Sequence, residues 1–472
     1  MTLPLSGVRV LDLAQVYAGP TCARLLADLG ADVIKIEGLK RMDITRNFIM
    51  PENVAAEDYW NTAGYFLLRN GGKRSLTLDF SEESGGAGVD IVKKLIPQCD
   101  IVVESFTPHV MAKFGLDYKS LTAIKPDIIM ISLSGYGQNG PWRDFSAYGM
   151  GLEPASGISS ITGYENGDPL RTGISFTDPY SGIVGAGAVL AALVYRRRTG
   201  KGQYIDLSEQ EAAIPVVGYA LMEQAMSALG GSASGGNGRP PKRIGNRSYW
   251  YAPQGAYRCT GEDNWLVISI RDDDEFAALA KVLGHPEWAT DKRFAGNTSR
   301  MQNHDALDAL IEAWTDTQDH VEAMHTLQAA GVLAAAVLNP KEVLLDPHLR
   351  ERGFFDRVDT ENAGVRPVPH QLGAKFSAFE MDSARRAPKL GEHNHEVLSS
   401  LLGLTDAEIA ELAEKQVIGD TPISAVPLPV MRMFVQFPLI SYQNMGALGG
   451  IETDYKEQLG ISDGTWNKDQ GT

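Results

Sequence analysis

Short apolar runs alternate with stretches of helical period through the first half of this chain, and that alternation restricts its fold more than any other feature. Residues 8–13 (VRVLDL) read as a buried strand. Gly19-Pro20 then opens a helix with Leu25, Leu26 and Leu29 on one face and Gly30 as its stop. A second strand follows at 32–37 (DVIKIE), a third at 75–80 (SLTLDF), a helix over 81–98, and a strand at 100–105 (DIVVES). Two short helices lead to the strand 127–135 (DIIMISLSG). A helix from Asp178 to Arg198, the strand 203–208 (QYIDLS) and a helix reaching 229 continue the series. Strand–helix–strand units of this kind require a parallel sheet with crossover helices, so the expected fold class is α/β.

The composition changes at 230–241 (GGSASGGNGRPP), which has no periodicity and reads as a flexible loop or linker. Beyond it, 257–270 (YRCTGEDNWLVISI) reads as a β-hairpin, and helices are expected over 273–284, 303–316 and 319–330. This suggests a smaller α+β domain. Short strands around 373–379 (GAKFSAF) and helices over 394–403 and 405–415 come next. The expected division is a large domain over 1–229, the Gly-rich loop and small domain over 230–345, and a return to the large domain over 346–420. An extension of unknown role, 421–472, carries a strand-like run at 430–437 (VMRMFVQF).

With 472 residues, 43% of them hydrophobic, the chain can bury a large core. Its net charge of −16 argues against a nucleic-acid or anionic-membrane partner, since either needs a basic face. A phosphate-bearing ligand held by a few local cations stays open. Cys22, Cys99 and Cys259 are far apart and form no C-x-x-C, which fits a reducing, cytoplasmic setting without a zinc site. No basic segment followed by an apolar run begins the chain, and 183–195 is too short and Gly-rich to span a bilayer.

GYGQNG (135–140) is a literal G-x-G-x-x-G, but Gly140 is followed by Pro-Trp-Arg-Asp-Phe and no helical period, so a Gly-rich loop at a strand end is expected rather than a dinucleotide site. Lys73 and Arg74, beside paired glycines, either hold a phosphate or form a solvated basic edge. His393 and His395 make an H-x-H with no third ligand at suitable spacing, so no metal site is expected. There is no G-x-S-x-G elbow. Asp178, in GISFTDPYSG (173–182), is the only charge between Arg171 and Arg196. Followed by Pro179, it reads as an N-cap with Pro at N1. The same position suits chemistry. A helix N-terminus favours the ionised carboxylate by about 0.3–1 kcal/mol, and an ionised Asp is a nucleophile toward an activated carbonyl. Gly173, Gly182, Gly185 and Gly187 would let a bulky substrate approach.

These residues resemble the class III CoA-transferases (CaiB/BaiF), the group that includes formyl-CoA and carnitine CoA-transferases. The resemblance rests on AGPTCARLLADLGADVIKIE (18–37), GKRSLTLD (72–79), DIVVESFTPHVMAKFGLDY (100–118), SLSGYGQNGP (132–141), RTGISFTD (171–178), RRRTGKGQYIDLSEQEA (196–212) and APKLGEH (387–393), in order over about 3–418. It implies a Rossmann-like large domain and a small domain, two copies interlocked as rings, and transfer of CoA from an acyl-CoA donor, with succinyl-CoA as a guess, to a carboxylic acid. It implies Asp178 as the nucleophile, passing through an aspartyl anhydride and an aspartyl-CoA thioester. No tightly bound cofactor is implied; CoA is a substrate.

The CoA contacts implied are Val16, Tyr17 and Ala18 in the first loop, Lys40 and Arg41 after the second strand, and Asn70, Gly71, Gly72, Lys73 and Arg74 at the phosphates or ribose. Ser105, Phe106 and Thr107, with Lys113 and Phe114, would meet the adenine side; Ser146, Ala147, Tyr148 and Gly149 lie near the thioester. Gly235, Gly236 and Gly238 resemble a mobile loop that covers the nucleophile. The chain departs from the pattern at Tyr17, where some members have Gln, at Gly149, where an acid is common, and at Lys113, usually Arg. Trp60, Tyr65, Tyr249, Trp250 and Tyr251 either line an apolar acceptor pocket or simply pack. Two other readings stay in view. One is an isomerase of the α-methylacyl-CoA racemase type, whose His would fall near Tyr148. The other is a non-catalytic acyl-CoA-binding protein.

Overall fold

The computed structural model describes residues 2–227, 242–424 and 454–461. The chain divides into two compact units, one drawn from Met1–Ser156, Ile174–Pro215 and Pro347–Thr472, the other from Gly157–Gly173 and Val216–Asp346. The second unit thus begins earlier than the Gly-rich stretch suggests and takes 157–173 out of the first. Arg243 fastens that segment, donating to Ser160 O at 3.0 Å and Gly167 O at 2.7 Å.

In the first unit, β1 (Arg9–Asp12), α1 (Ala18–Asp28), β2 (Asp32–Glu37), α2 (Gly64–Asn70), β3 (Arg74–Thr77), α3 (Ala87–Leu95), β4 (Ile101–Glu104), β5 (Ile129–Ser134), α4 (Gly149–Ala155), α5 (Thr177–Thr199), β6 (Gln203–Ser208) and α6 (Glu209–Ala213) carry the argument. The six strands form one sheet in the order β3-β2-β1-β4-β5-β6. Every pairing in it is parallel. Both faces are covered, which is why the strands read as continuous apolar runs. Val10, Ile101, Val103, Ile129 and Ile131 meet α1 and α5 on one face. Leu11, Ile34, Val102 and Met130 meet α3 and the helices Asn394–Leu402 and Asp406–Glu414 on the other.

The helix α5 is long and apolar enough to cross a membrane by length and composition alone. Its Ser181, Gly182, Gly185, Ala186 and Val189 are buried, however, and it lies on α1 and the sheet. A Cβ at Gly182 would stand 2.5 Å from Ala18 O, so only glycine permits this approach.

Strand order reverses between β1 and β4, so the loops after these strands leave in opposite directions and open a crevice at the carboxyl edge of the sheet. The two loops are tied together: Gln15 N donates to Ser105 Oγ at 3.0 Å, and Ser105 Oγ donates to Gln15 O at 3.2 Å. Beneath them lies a buried ion network. Lys73 Nζ reaches Asp12 at 2.7 Å, Lys35 Nζ reaches Asp43 at 3.0 Å, and Arg46 reaches Glu37 at 2.8 Å, all six side chains being inaccessible to solvent. Lys35 also donates to Ala14 O at 2.8 Å, and Asp43 accepts from Val16 N at 3.2 Å. The network thereby holds Val16 at φ 70°, a conformation that β-branched residues avoid.

The expected strand at 373–379 does not form. Phe376 and Phe379 stack with ring centroids 4.5 Å apart, and side chains three residues apart cannot share a side in a strand. The antiparallel pair in this region is instead Phe355–Asp359 with Val365–Pro369. The run at 430–437 lies outside the described residues.

The second unit has its own core. Strands Gln254–Arg258, Trp265–Ser269 and Leu333–Ala336 form an antiparallel sheet in that order. Phe276, Leu279, Leu307, Ile311 and Leu327 cover it from the helices Asp273–Val282, His304–Thr315 and His320–Ala329.

Because removing one partner strands a buried charge, Lys73→Ala should lower unfolding free energy by about 3–5 kcal/mol, read by denaturant titration.

Candidate active site

Asp178 sits in the first turn of α5, but not as its cap. The helix begins at Thr177, which makes Asp178 its second residue and Pro179 its third, and Phe176 precedes it without a side-chain cap bond. The N-cap reading is therefore corrected by one turn position: the carboxylate is free to point away from its own helix start. Only a weak local contact holds it, Thr177 Oγ1 at 3.4 Å. Burial raises its pKa above the ordinary carboxylate value, and hydrogen bonds from Glu209 and Thr177 offset part of that rise.

Glu209 is the residue that reading the sequence missed. It is the first residue of α6, one step beyond β6, and is 9% exposed. Its carboxyl lies in hydrogen-bond range of Asp178. Among the described residues its Oε2 is buried with no donor to bind. Two carboxyls in contact need a proton between them, even with Thr177 Oγ1 donating weakly to one of them. Burial, then the charge of Asp178, pushes Glu209 well above the usual range, so Glu209 holds that proton and donates to Asp178. The pair titrates as one unit. The sequence carried little sign of it, since Glu209 belongs to a polar run, SEQE, that reads as a helix start.

Gly149 closes the other side. A Cβ there would lie 2.4 Å from Asp178 Oδ1 and 2.6 Å from Ser175 Cβ. No side chain fits at 149, so the acid common at that place in the resemblance could not be accommodated here. Tyr148, next to it, is 70% exposed, while Ser146 and Ala147 lie in the loop leading into α4.

Along the same carboxyl edge of the sheet runs a cleft of about 1160 Å3, lined by Gln15, Gly38, Lys40, Arg41, Phe80, Phe106, Lys113 and Phe114, among others. Five of the expected contacts, Lys40, Arg41, Phe106, Lys113 and Phe114, thus share one cavity. Ser105 and Thr107 flank Phe106, and Val16, Tyr17 and Ala18 follow Gln15 along the first loop. Among the described residues Arg41 and Lys113 have no ion-pair partner, so their charge is available to an anion. Lys40 is already engaged by Glu83 and Asp79.

The expectation for Asn70, Gly71, Gly72, Lys73 and Arg74 does not fit this geometry. Asn70 and Lys73 are buried, and Lys73 spends its three donors on Asp12, Pro20 O and Asn70. Burial pulls the Lys73 ammonium down to about 8, with Asp12 opposing that fall. Arg74 pairs with Asp32 and Glu396. Gly71 is pressed against the Arg24 guanidinium, and Gly72 against that of Arg385. The basic dipeptide thus serves the protein's own carboxylates. Trp60 belongs to the core, whereas Tyr249, Trp250 and Tyr251 lie in the second unit, the last two exposed. Gly235, Gly236 and Gly238 lie outside the described residues.

A family model described as CoA-transferase family III matches residues 5–394. The chain belongs to CoA-transferase family III. It is 36% identical over 417 residues to the succinyl-CoA–D-citramalate CoA-transferase of Chloroflexus aurantiacus, spanning 88% of this chain and 98% of that protein. It is 34% identical over 399 residues to the succinate–glutarate CoA-transferase of Agrobacterium fabrum, spanning 84% and 96% respectively. Among solved structures, a CaiB/BaiF family protein from Brucella suis matches with a TM-score of 0.74 and 34% identity, over 85% of this chain and all of that one.

In this CoA-transferase the backbone at 149 is as constrained as any side chain of the site. Gly149→Ala should lower kcat/KM at least about 10²-fold through displacement of Asp178, with secondary structure unchanged by circular dichroism.

Proposed function

We propose that the enzyme transfers CoA from succinyl-CoA to a carboxylic acid through covalent intermediates on Asp178. The observation that carries this reading is the pairing of half-buried Asp178 with buried Glu209 beside Gly149. Succinyl-CoA is named as donor because the relatives above are named for succinyl-CoA or succinate. A carboxylate oxygen of Asp178 attacks the donor thioester carbonyl; the C–S bond breaks, CoA leaves as thiolate, and an anhydride forms. The thiolate then attacks the aspartyl carbonyl, releasing succinate and leaving an aspartyl-CoA thioester. The acceptor carboxylate attacks that thioester, expels the thiolate and forms a second anhydride. Thiolate attack on the acceptor's carbonyl gives the new acyl-CoA and restores the Asp178 carboxylate. Each step exchanges activated acyl groups of similar energy, so splitting the transfer lowers the barrier without a separate energy source.

The cleft lined by Arg41, Lys113, Phe106 and Phe114 is suited to the nucleotide end of CoA, with cations for phosphate and aromatic faces for the base. Glu209 donates its proton to the Asp178 oxygen not engaged in attack and holds the carboxylate in place. Two interlocked copies are the expected assembly, and Ile183, Val184, Val194 and Tyr195, exposed on α5, support it. The three cysteines are buried and unpaired, which supports a cytoplasmic setting.

Hydroxylamine added during turnover with succinyl-CoA should convert Asp178 to a hydroxamate, found by peptide mass mapping. Asp178→Ala should lose both the adduct and at least about 10³-fold in exchange rate; an unmodified Asp178 in an active enzyme would sink the mechanism. The pH profile of kcat/KM should be bell-shaped. Activity falls on the acid side as Asp178 takes up a proton through its raised pKa. It falls on the alkaline side as Glu209 ionises through its still higher one. Glu209→Gln keeps a neutral donor, so its profile should lose the alkaline limb alone.

A further inference from the structure

The strongly buried cations of the first unit each face a carboxylate: Arg24 faces Asp28, Lys35 faces Asp43, Arg46 faces Glu37, and Lys73 faces Asp12. Half-buried Arg69, in the last turn of α2, faces none. It makes no ion pair among the described residues. Its guanidinium donates to the Tyr17 hydroxyl and, at 2.7 Å, to Gln371 Oε1, and its Nε is buried with nothing to bind. The guanidinium carbon lies 4.1 Å from the centre of the Tyr17 ring. A guanidinium withdrawn from water with only neutral partners is a site prepared for an anion.

The location points to the reacting end of the substrate. Tyr17 immediately precedes Ala18, whose carbonyl abuts Gly182, one helical turn beyond Asp178. Tyr65, one turn before Arg69 on α2, has its ring 5.3 Å from that of Tyr17. Burial first, then Tyr17 and Asp178, with Arg69 opposing them, pushes the Tyr65 hydroxyl up to about 12. Phe48, with its ring 6.3 Å from Tyr65 and about half exposed, gives an apolar wall beside the pair.

We propose that Arg69 and the Tyr17 hydroxyl bind the distal carboxylate of a dicarboxylic acid whose other carboxyl reacts at Asp178, making Arg69 the residue that selects dicarboxylates over monocarboxylates. The fork of Arg69 offers paired N–H donors to a carboxylate, and Tyr17, which accepts from Arg69, still has its own proton to donate to the same group. The wall of Phe48 and Tyr65 suits the short methylene chain between the two carboxyls. This assignment rests on the reading of Asp178 as the covalent centre.

The test compares glutarate with pentanoate, which replaces one carboxylate by a methyl group, as CoA acceptors for the full-length enzyme. The wild type should prefer glutarate in kcat/KM, and Arg69→Met should reduce that preference by about 10²-fold or more. A wild type that uses both acids equally, or an Arg69→Met enzyme in which both rates fall by the same factor, overturns the assignment. Arg69→Lys keeps the charge but loses the fork. Should the Met variant not fold, Arg69→Gln, which removes the charge but keeps polar donors, serves in its place, and an unchanged preference in it overturns the assignment equally. A binding arm separates this idea from the mechanism it rests on. Calorimetry should show glutarate binding to Asp178→Ala and its loss in Asp178→Ala/Arg69→Met. Binding that persists in the double variant refutes the Arg69 site whatever Asp178 does. Binding that is lost there, in a protein whose Asp178 is never modified, upholds the Arg69 site while the covalent mechanism fails.

Discussion

The rest of the molecule depends on the interlaced ion pairs under the carboxyl edge of the sheet. Asp12 ends β1, Lys35 and Glu37 lie in β2, and Lys73 immediately precedes β3, so their spacing is set by strand register before any side chain acts. Once in place they grip the loop after β1 through Ala14 O and Val16 N. Burial alone would raise the Glu37 carboxyl, but Arg46 and Lys35 overcome it and hold Glu37 at about 2. Ion pairs of this kind contribute little net stability compared with apolar packing; what they supply is a fixed loop shape, including a strained Val16, at the mouth of a cleft.

From that fixed edge the site is assembled from three directions. The loop after β1 carries Tyr17, α5 carries Asp178, and α6 carries Glu209. Glycine appears where two of these parts must touch, at Gly149 and Gly182, and in both places the missing Cβ decides the arrangement. The acid–acid contact at the centre is the opposite of the ion pairs below it. It is stable only while one of its members stays protonated, which couples the protonation of the site to its geometry.

Much of the first unit was legible in the sequence because period and burial agree there. The strands at 32–37 and 203–208 fall where the apolar runs place them, and the helix expected from Asp178 to Arg198 runs from Thr177 to Thr199, within a residue at each end. The hairpin and three helices of the second unit were legible for the same reason. Other features were not. Segment 157–173 joins the second unit through Arg243 on backbone carbonyls and a Gly245 N to Gly163 O hydrogen bond, interactions with no composition signal. Lys73 and Arg74 read as a phosphate holder or a solvated basic edge because nothing local announces that Asp12 and Asp32, far away in the chain, will claim them. Glu209 and Arg69 were invisible for a related reason. Each has an ordinary helical neighbourhood, and its significance comes from what tertiary folding sets across from it, a second carboxyl for one and no carboxyl for the other.

The close seating of α5 on α1 through Gly182 leaves Asp178 little freedom to drift. The short helix that ends at Asn70 is anchored more loosely, with only Phe66 and Asn70 buried along its length. On the reading proposed above, chemistry and acceptor choice reside in separate pieces of the scaffold. A lineage, or an engineer, wishing to feed this enzyme a different acid would rewrite the stretch from Phe48 to Arg69 and leave the aspartate's helix untouched.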